Sequence, residues 1–388
     1  MRYVFVDDTA LAYDGYTPLR RPLGGMEKAV IGLTNALFER GHDVKVINRV
    51  AYAHMAEGAY WVPFGDAMVP KQTDVLIALR KPPLMGLMRA ASHRLLWVMG
   101  APDYLTASVH EPLWDSFGAS LLFVGHNQKR AYKGKVRSAV IAPGVRPTYW
   151  EPPAPPAHVP IPMPDDYGYD PEAEAARQMS EEAARKAAEE AATAPPAIPP
   201  AHAIVTTHPS QGLLWLVDIW TRLIHPQMPN ARLSIYSAVL SKGIKGEEIP
   251  EGMLPILEQV MAAVKANVVI LDPRNDEGMA QAYRDARVHL YPGDAGDFAC
   301  WTLAESQAAG VPAVARGLGG VDERLDNGST GYIVPDDTAF ANVTLQILGN
   351  DDVYKTLSEA ARAVARRRPW ALAAEELDAF IATLPLAD

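Results

Sequence analysis

At 388 residues, 48% of them hydrophobic, the chain is long enough for two cores and too long for one ordinary domain. A formal net charge of −10 argues against a general nucleic-acid binder. The single cysteine, Cys300, excludes an intrachain disulfide and suits a reducing compartment, and no run of about 18 apolar residues is present to span a membrane. The opening MRYVFVDD is too short and too acidic for a signal peptide and reads as a first strand, so a cytoplasmic protein is expected.

Residues 1–150 alternate strand-like and helix-like runs. Tyr3–Val6 is a short apolar strand. GGMEKAVIGLTNALFERGHDVKVINRV then reads as glycine loop, helix, glycine stop at Gly41, and strand Val44–Asn48. Asp74–Ala78, Leu95–Val98, Leu121–Val124 and Ala139–Ala142 are further buried-strand runs. Residues 151–200 break the alternation with twelve prolines, thirteen alanines, and ten acids against three bases. They read as a solvated linker or insertion with a helical Ala/Glu/Arg centre from Pro171 to Thr193. From 201 to 350 the alternation returns, with strands at Ala203–Thr207, Arg232–Tyr236, Val268–Leu271 and Val288–Tyr291. Helical runs cover roughly 338–349, 351–368 and 370–384, the last two lying in a C-terminal stretch, 351–388. The pattern predicts an α/β protein of two Rossmann-like domains facing across a cleft, with ligands at the carboxyl ends of the strands.

The stretch DFACWTLAESQAAGVPAVA carries the most chemistry. Asp297 lies on a loop and Glu305, eight residues on, lies on a helix that Gly310 ends before the next strand. A loop entering a helix offers unpaired N–H groups and a positive dipole end to an anion such as phosphate. Carboxylates beside it accept hydrogen bonds from hydroxyls, as sugars and riboses require. Gly24-Gly25, ahead of the first helix, permits close backbone approach to a ligand, but it lacks the G-x-G-x-x-G spacing of a dinucleotide fold.

Taken in order, several segments resemble the GT-B glycosyltransferases of the retaining family 4, the glycosyl transferases group 1. They are GGMEKAVIGLTNALFERGHDV, VIAPGVRPTYW, HPSQGLLWLVDIWTRLIHPQMPNARLSIY and YPGDAGDFACWTLAESQAAGVPAVARGLGGVDERLDNGSTGYIVPDD. The resemblance implies an acceptor-binding domain over 1–150, a donor-binding domain over 201–350, and C-terminal helices crossing back to the first domain. It implies a nucleotide-sugar donor, no metal, no further cofactor, and transfer with retention. Glu305 is then the ribose carboxylate and Asp297 the one that meets the sugar. Gly24 and Gly25 approach the donor, and Phe298, Ala299, Cys300, Trp301 and Thr302 present backbone groups to sugar and diphosphate. Cys300 reads as structural.

The departures from that family are as informative. Its usual arginine and lysine, which neutralise the leaving diphosphate, are replaced here by Thr207 and Gln211. Losing such charge stabilisation costs roughly 10²–10³ in rate per donor. His208 is the best substitute because it lies inside the motif, ahead of Lys242, Lys245 and Arg274. On the acceptor side the family's histidine gives way to Met99-Gly100-Ala101-Pro102-Asp103, which makes Asp103 the polar candidate, with His126 a second. Lys129, Arg130, Lys133, Lys135 and Arg137 form a basic run without an acid. It suits a solvated face, or else an anionic acceptor or a membrane surface, and Arg366–Arg368 could act similarly. Two functions follow: a glycosyltransferase acting on an unidentified acceptor, or a catalytically impaired relative serving as a binding or scaffold protein.

Overall fold

The computed structural model describes residues 1–151, 182, 198–363 and 367–385. The linker reading therefore falls almost wholly outside the described residues, as does Arg366. The first half builds an eight-stranded sheet in the order β3-β4-β2-β1-β5-β6-β7-β8. Its strands are β1 Arg2–Val6, β2 Asp43–Asn48, β3 His54–Ala56, β4 Ala59–Pro63, β5 Gln72–Leu79, β6 Ala90–Val98, β7 Ser120–Phe123 and β8 Ser138–Val140. The second half builds a six-stranded parallel sheet in the order β11-β10-β9-β12-β13-β14. These are β9 His202–Val205, β10 Arg232–Tyr236, β11 Val268–Leu271, β12 Val288–Tyr291, β13 Ala313–Arg316 and β14 Gly331–Val334. In each sheet the chain reverses direction across one strand, at β1/β5 and at β9/β12, and crevices form at such points.

Among the strands, the β3–β4 pair and β14 are not legible in the sequence. The β3–β4 pair is an antiparallel hairpin turned by Glu57 and Gly58, both at positive φ (41° and 78°). That turn requires φ > 0 at both central positions, and a glutamate in the first gives no turn signal. Strand β14 was hidden because a four-residue run bounded by glycine and proline has no measurable period.

Helix α1, Gly25–Glu39, packs Ala29, Leu33, Ala36 and Leu37 on the first sheet. The last helix, Trp370–Ile381, joins the same core through Trp370, Ala373, Ala374, Leu377 and Ile381, one stripe at helical spacing. Gly32 makes this contact possible, since a Cβ there would stand 2.3 Å from the Trp370 indole nitrogen. Asp378 fixes the register by accepting from Tyr3 Oη at 2.5 Å and Arg40 Nε at 2.8 Å, with His42 Nε2 at 3.0 Å. The preceding helix, Asp351–Arg362, belongs to the other core: Leu357 packs there and Ser358 donates to the Gly310 carbonyl at 2.6 Å.

Candidate functional site

The loop that opens the 297–305 motif is built by its own polar groups. Asp297 Oδ1 accepts from Cys300 N–H at 2.9 Å and Oδ2 from Tyr291 Oη at 2.5 Å. Gly319 and Gly320 let the 316–320 loop lie flat on Asp297–Phe298, where a Cβ on either would come within 2.1 Å of a carbonyl oxygen. Gly320 N–H then donates to the Asp297 carbonyl and Arg324 Nε to that of Ala299. This bracing holds Cys300 in the left-handed region (φ 46°) and launches helix α2 here, Trp301–Ala308. The first-turn N–H groups, including those of Trp301 and Thr302, carry the helix's positive end.

Cys300 is fully buried, and burial together with the Asp297 charge pushes its thiol up to about 12. A thiol so raised is no nucleophile. Native protein should leave Cys300 unlabelled by a thiol-specific disulfide reagent and react only on unfolding; rapid labelling of the folded state would refute a structural role.

Glu305 lies one turn further in and is 9% exposed. Its Oε1 accepts from Lys28 Nζ at 2.8 Å. The same ammonium reaches Asp276 Oδ1 at 2.8 Å and donates to Tyr149 Oη at 2.8 Å. Arg146 Nε stands 3.4 Å from Asp276 Oδ2 and its other nitrogens bind Glu57. Burial raises the Glu305 pKa and Asp276 adds to it, while Lys28 pulls the other way. Burial opposes the charge on Lys28, but the two carboxylates outweigh it and raise its pKa. One first-half lysine thus sits among second-half acids, on the turn that follows Gly24-Gly25. Neither Lys28, Tyr149 nor Asp276 was foreseen; the only hint for Lys28 was its place after the glycine pair.

Gly25 faces Trp301 directly, and a Cβ on it would stand 2.2–2.5 Å from the indole. Gly24 is set against Glu27, whose Oε2 would be 2.5 Å from such an atom. The N-termini of two helices therefore meet at this point, one from each sheet.

Beneath lies a polar network. Thr206 Oγ1 pairs with Tyr283 Oη at 2.9 Å and with His289 Nε2 at 3.3 Å, and His289 Nδ1 pairs with Ser306 Oγ at 2.7 Å. His289 is fully buried, and burial drops its pKa from 6.5 to about 3. The unfolded chain therefore binds an extra proton between those values, so this residue makes stability fall as pH drops below 6.5. Melting curves should show a larger loss of Tm on acidification to about pH 5 in the wild type than in His289→Gln, and equal losses would sink the assignment.

The remaining expected residues are more dispersed. Thr207 lies two residues beyond the end of β9, not in the strand as expected, and its hydroxyl is buried and unpartnered. Gln211 Oε1 accepts the His208 N–H at 3.2 Å, and His208 Nδ1 pairs with Ser210 Oγ at 2.7 Å, so both side chains hold their own turn. Desolvation lowers the His208 pKa, which leaves the imidazole short of positive charge as it stands. Lys245 is paired with Asp272 at 2.8 Å and Arg274 lies over the Tyr236 ring at 5.9 Å. Asp103 is exposed on the turn after β6, near where Ala101 comes within 4.0 Å of a Cβ built on Gly296. His126 and Asn127 donate their backbone N–H groups to Glu323 at 2.8 and 2.6 Å, a second junction between the halves. Lys129, Arg130, Lys133, Lys135 and Arg137 are all exposed. Among the described residues no group of three or more His, Cys, Asp or Glu could hold a metal, and no helix is long and apolar enough to cross a membrane.

Two doubly wound halves meeting at strand ends, with the last helix returned to the first half, define the GT-B fold. Anabaena Alr3699/HepE, solved in complex with UDP-glucose, shares it with a TM-score of 0.65 at 12% identity, over 99% of this chain and 100% of that one. Residues 203–350 match the model of Glycosyl transferases group 1. A phosphatidyl-myo-inositol mannosyltransferase of Mycobacterium leprae is 32% identical over 105 residues, 26% of this chain and 28% of the relative. A D-inositol 3-phosphate glycosyltransferase of Corynebacterium urealyticum is 29% identical over 163 residues, 42% of this chain and 37% of the relative. The chain thus spans well under half the length of these curated relatives.

Proposed function

We propose that the protein is a retaining, metal-independent glycosyltransferase that moves a sugar from a nucleotide-sugar to an acceptor. The observation that carries this reading is the buried Glu305 carboxylate, one turn inside a helix N-terminus that faces Gly25 of the other half. A nucleoside diphosphate presents a ribose diol to such a carboxylate and a diphosphate to such helix ends. The relatives named for mannosyl and glycosyl transfer support the class of reaction. In this reading Glu305 binds ribose hydroxyls and Asp297 shapes the loop that meets the sugar. The N–H groups at Trp301 and Thr302 stabilise the departing diphosphate, with the unpartnered Thr207 hydroxyl as a further donor. Acceptor binding falls to the first half, around Asp103. The exposed basic run from Lys129 to Arg137 suits an anionic acceptor or one presented at a membrane surface.

Calorimetry with UDP-, GDP- and ADP-sugars, followed by assay of slow donor hydrolysis, tests the proposal. Binding with hydrolysis supports a transferase. Tight binding without turnover would favour the impaired binding protein, for which the uncharged Thr207 and Gln211 speak. No binding to any donor would refute the reading.

A further inference from the structure

The Lys28 ammonium occupies one oxygen of the carboxylate that a ribose would need. It donates to Glu305, Asp276 and Tyr149, each at 2.8 Å. A vicinal diol and an ammonium are both donor-only partners for a carboxylate in this setting, so they compete for the same lone pairs. The surroundings leave no space for both. Beside Glu305 a cavity of about 20 Å³ remains, lined among others by Gly25, Lys28, Tyr149 and Trp301. That admits about one water and no pentose ring. Trp301 is packed on Gly25 at the same junction.

We infer that Lys28 is a displaceable plug: with no nucleotide bound, it closes the two halves on each other by neutralising the ribose-binding carboxylates, and a nucleoside diphosphate binds by expelling it. The inference rests on the donor-site reading above and adds its regulation. Two features of Lys28 fit a plug better than a permanent strut. Its partner Tyr149 lies on the segment that connects the halves. Its removal leaves Arg146 still facing Asp276, so the acids keep a cation when the ammonium departs. Breaking such a junction costs the binding energy of the incoming nucleotide, which lowers apparent affinity by the fraction of molecules held closed.

The test is calorimetric titration of UDP and GDP into the full-length wild type, Lys28→Met, Tyr149→Phe and Glu305→Gln. Lys28→Met keeps the length of the side chain without its charge. It is expected to bind whichever nucleotide binds the wild type about tenfold more tightly. Tyr149→Phe, which takes one acceptor from the ammonium and leaves the packing, should move affinity the same way by a smaller factor. It keeps the inference falsifiable if Lys28→Met does not fold. Small-angle scattering of nucleotide-free protein should show a larger radius of gyration for Lys28→Met than for the wild type. Unchanged or weaker nucleotide binding in both variants overturns the plug and makes Lys28 a strut or a ligand. Glu305→Gln separates the two readings: if the wild type binds and this variant binds equally well, the donor site itself has been misplaced. If no protein in the set binds UDP or GDP, the plug falls together with the donor reading.

Discussion

Glu305→Gln is expected to weaken nucleoside diphosphate binding by roughly 10–100-fold and to depress sugar transfer at least as much. A hydrogen bond to a charged group contributes about 1.5–3 kcal/mol, and each 1.4 kcal/mol is about tenfold in affinity. The amide keeps the shape of the side chain, so the loss reports charge and acceptor capacity rather than a cavity. The mutation also removes one partner of Lys28. Asp276 and Tyr149 remain within 2.8 Å of that ammonium, so the plug is loosened only in part. The loss of the ribose acceptor therefore dominates. The measurement is nucleotide affinity by calorimetry beside kcat/KM; wild-type affinity in Glu305→Gln would remove the residue from the donor site.

Gly25→Ala carries the second large effect, and here two local rules oppose each other. Alanine is favoured over glycine in a helix by about 1 kcal/mol, so on propensity alone the change would stabilise α1. The tertiary structure reverses this. A Cβ at Gly25 would stand 2.2–2.5 Å from Trp301 side-chain atoms, and overpacking of this kind costs about 1–3 kcal/mol. The strain is relieved by drawing the two halves apart, because α1 and the 301–308 helix belong to different sheets. A misplacement near 1 Å at a reacting centre costs about 10²-fold in rate. Transfer should therefore fall by about that factor, and the melting temperature should fall by a few degrees. Pairing the change with Trp301→Ala frees the space and should restore much of the lost rate. If the double variant is no better than Gly25→Ala, the steric account is wrong.

Much of this was legible in the chain. The strands β1, β2, β5, β6 and β7 announce themselves because buried parallel strands are continuous apolar runs between helical periods. The pairing of Asp297 with Glu305 on a loop and the helix that follows could be read for the same local reason: helix starts and glycine stops are written in neighbouring residues. The β3–β4 hairpin could not, since its turn rests on a glutamate forced to positive φ by the strands it joins.

The site divides along the same line. The alternating α/β pattern, the acidic pair at positions 297 and 305, the glycine pair at 24 and 25, and the absence of charge at Thr207 and Gln211 are legible in the chain without its fold. All of these are local, or rest on residue identity alone. Tertiary folding alone brings Lys28, 277 positions away in sequence, into hydrogen-bond contact with one oxygen of Glu305. It alone brought Tyr149 and Asp276 into the same cluster and gave Asp297 a bracing task within its own loop. Periodicity reports which face of an element is buried. It carries no information on which charged side chain from a distant element will meet that face, because such pairings are fixed by how two sheets pack on each other.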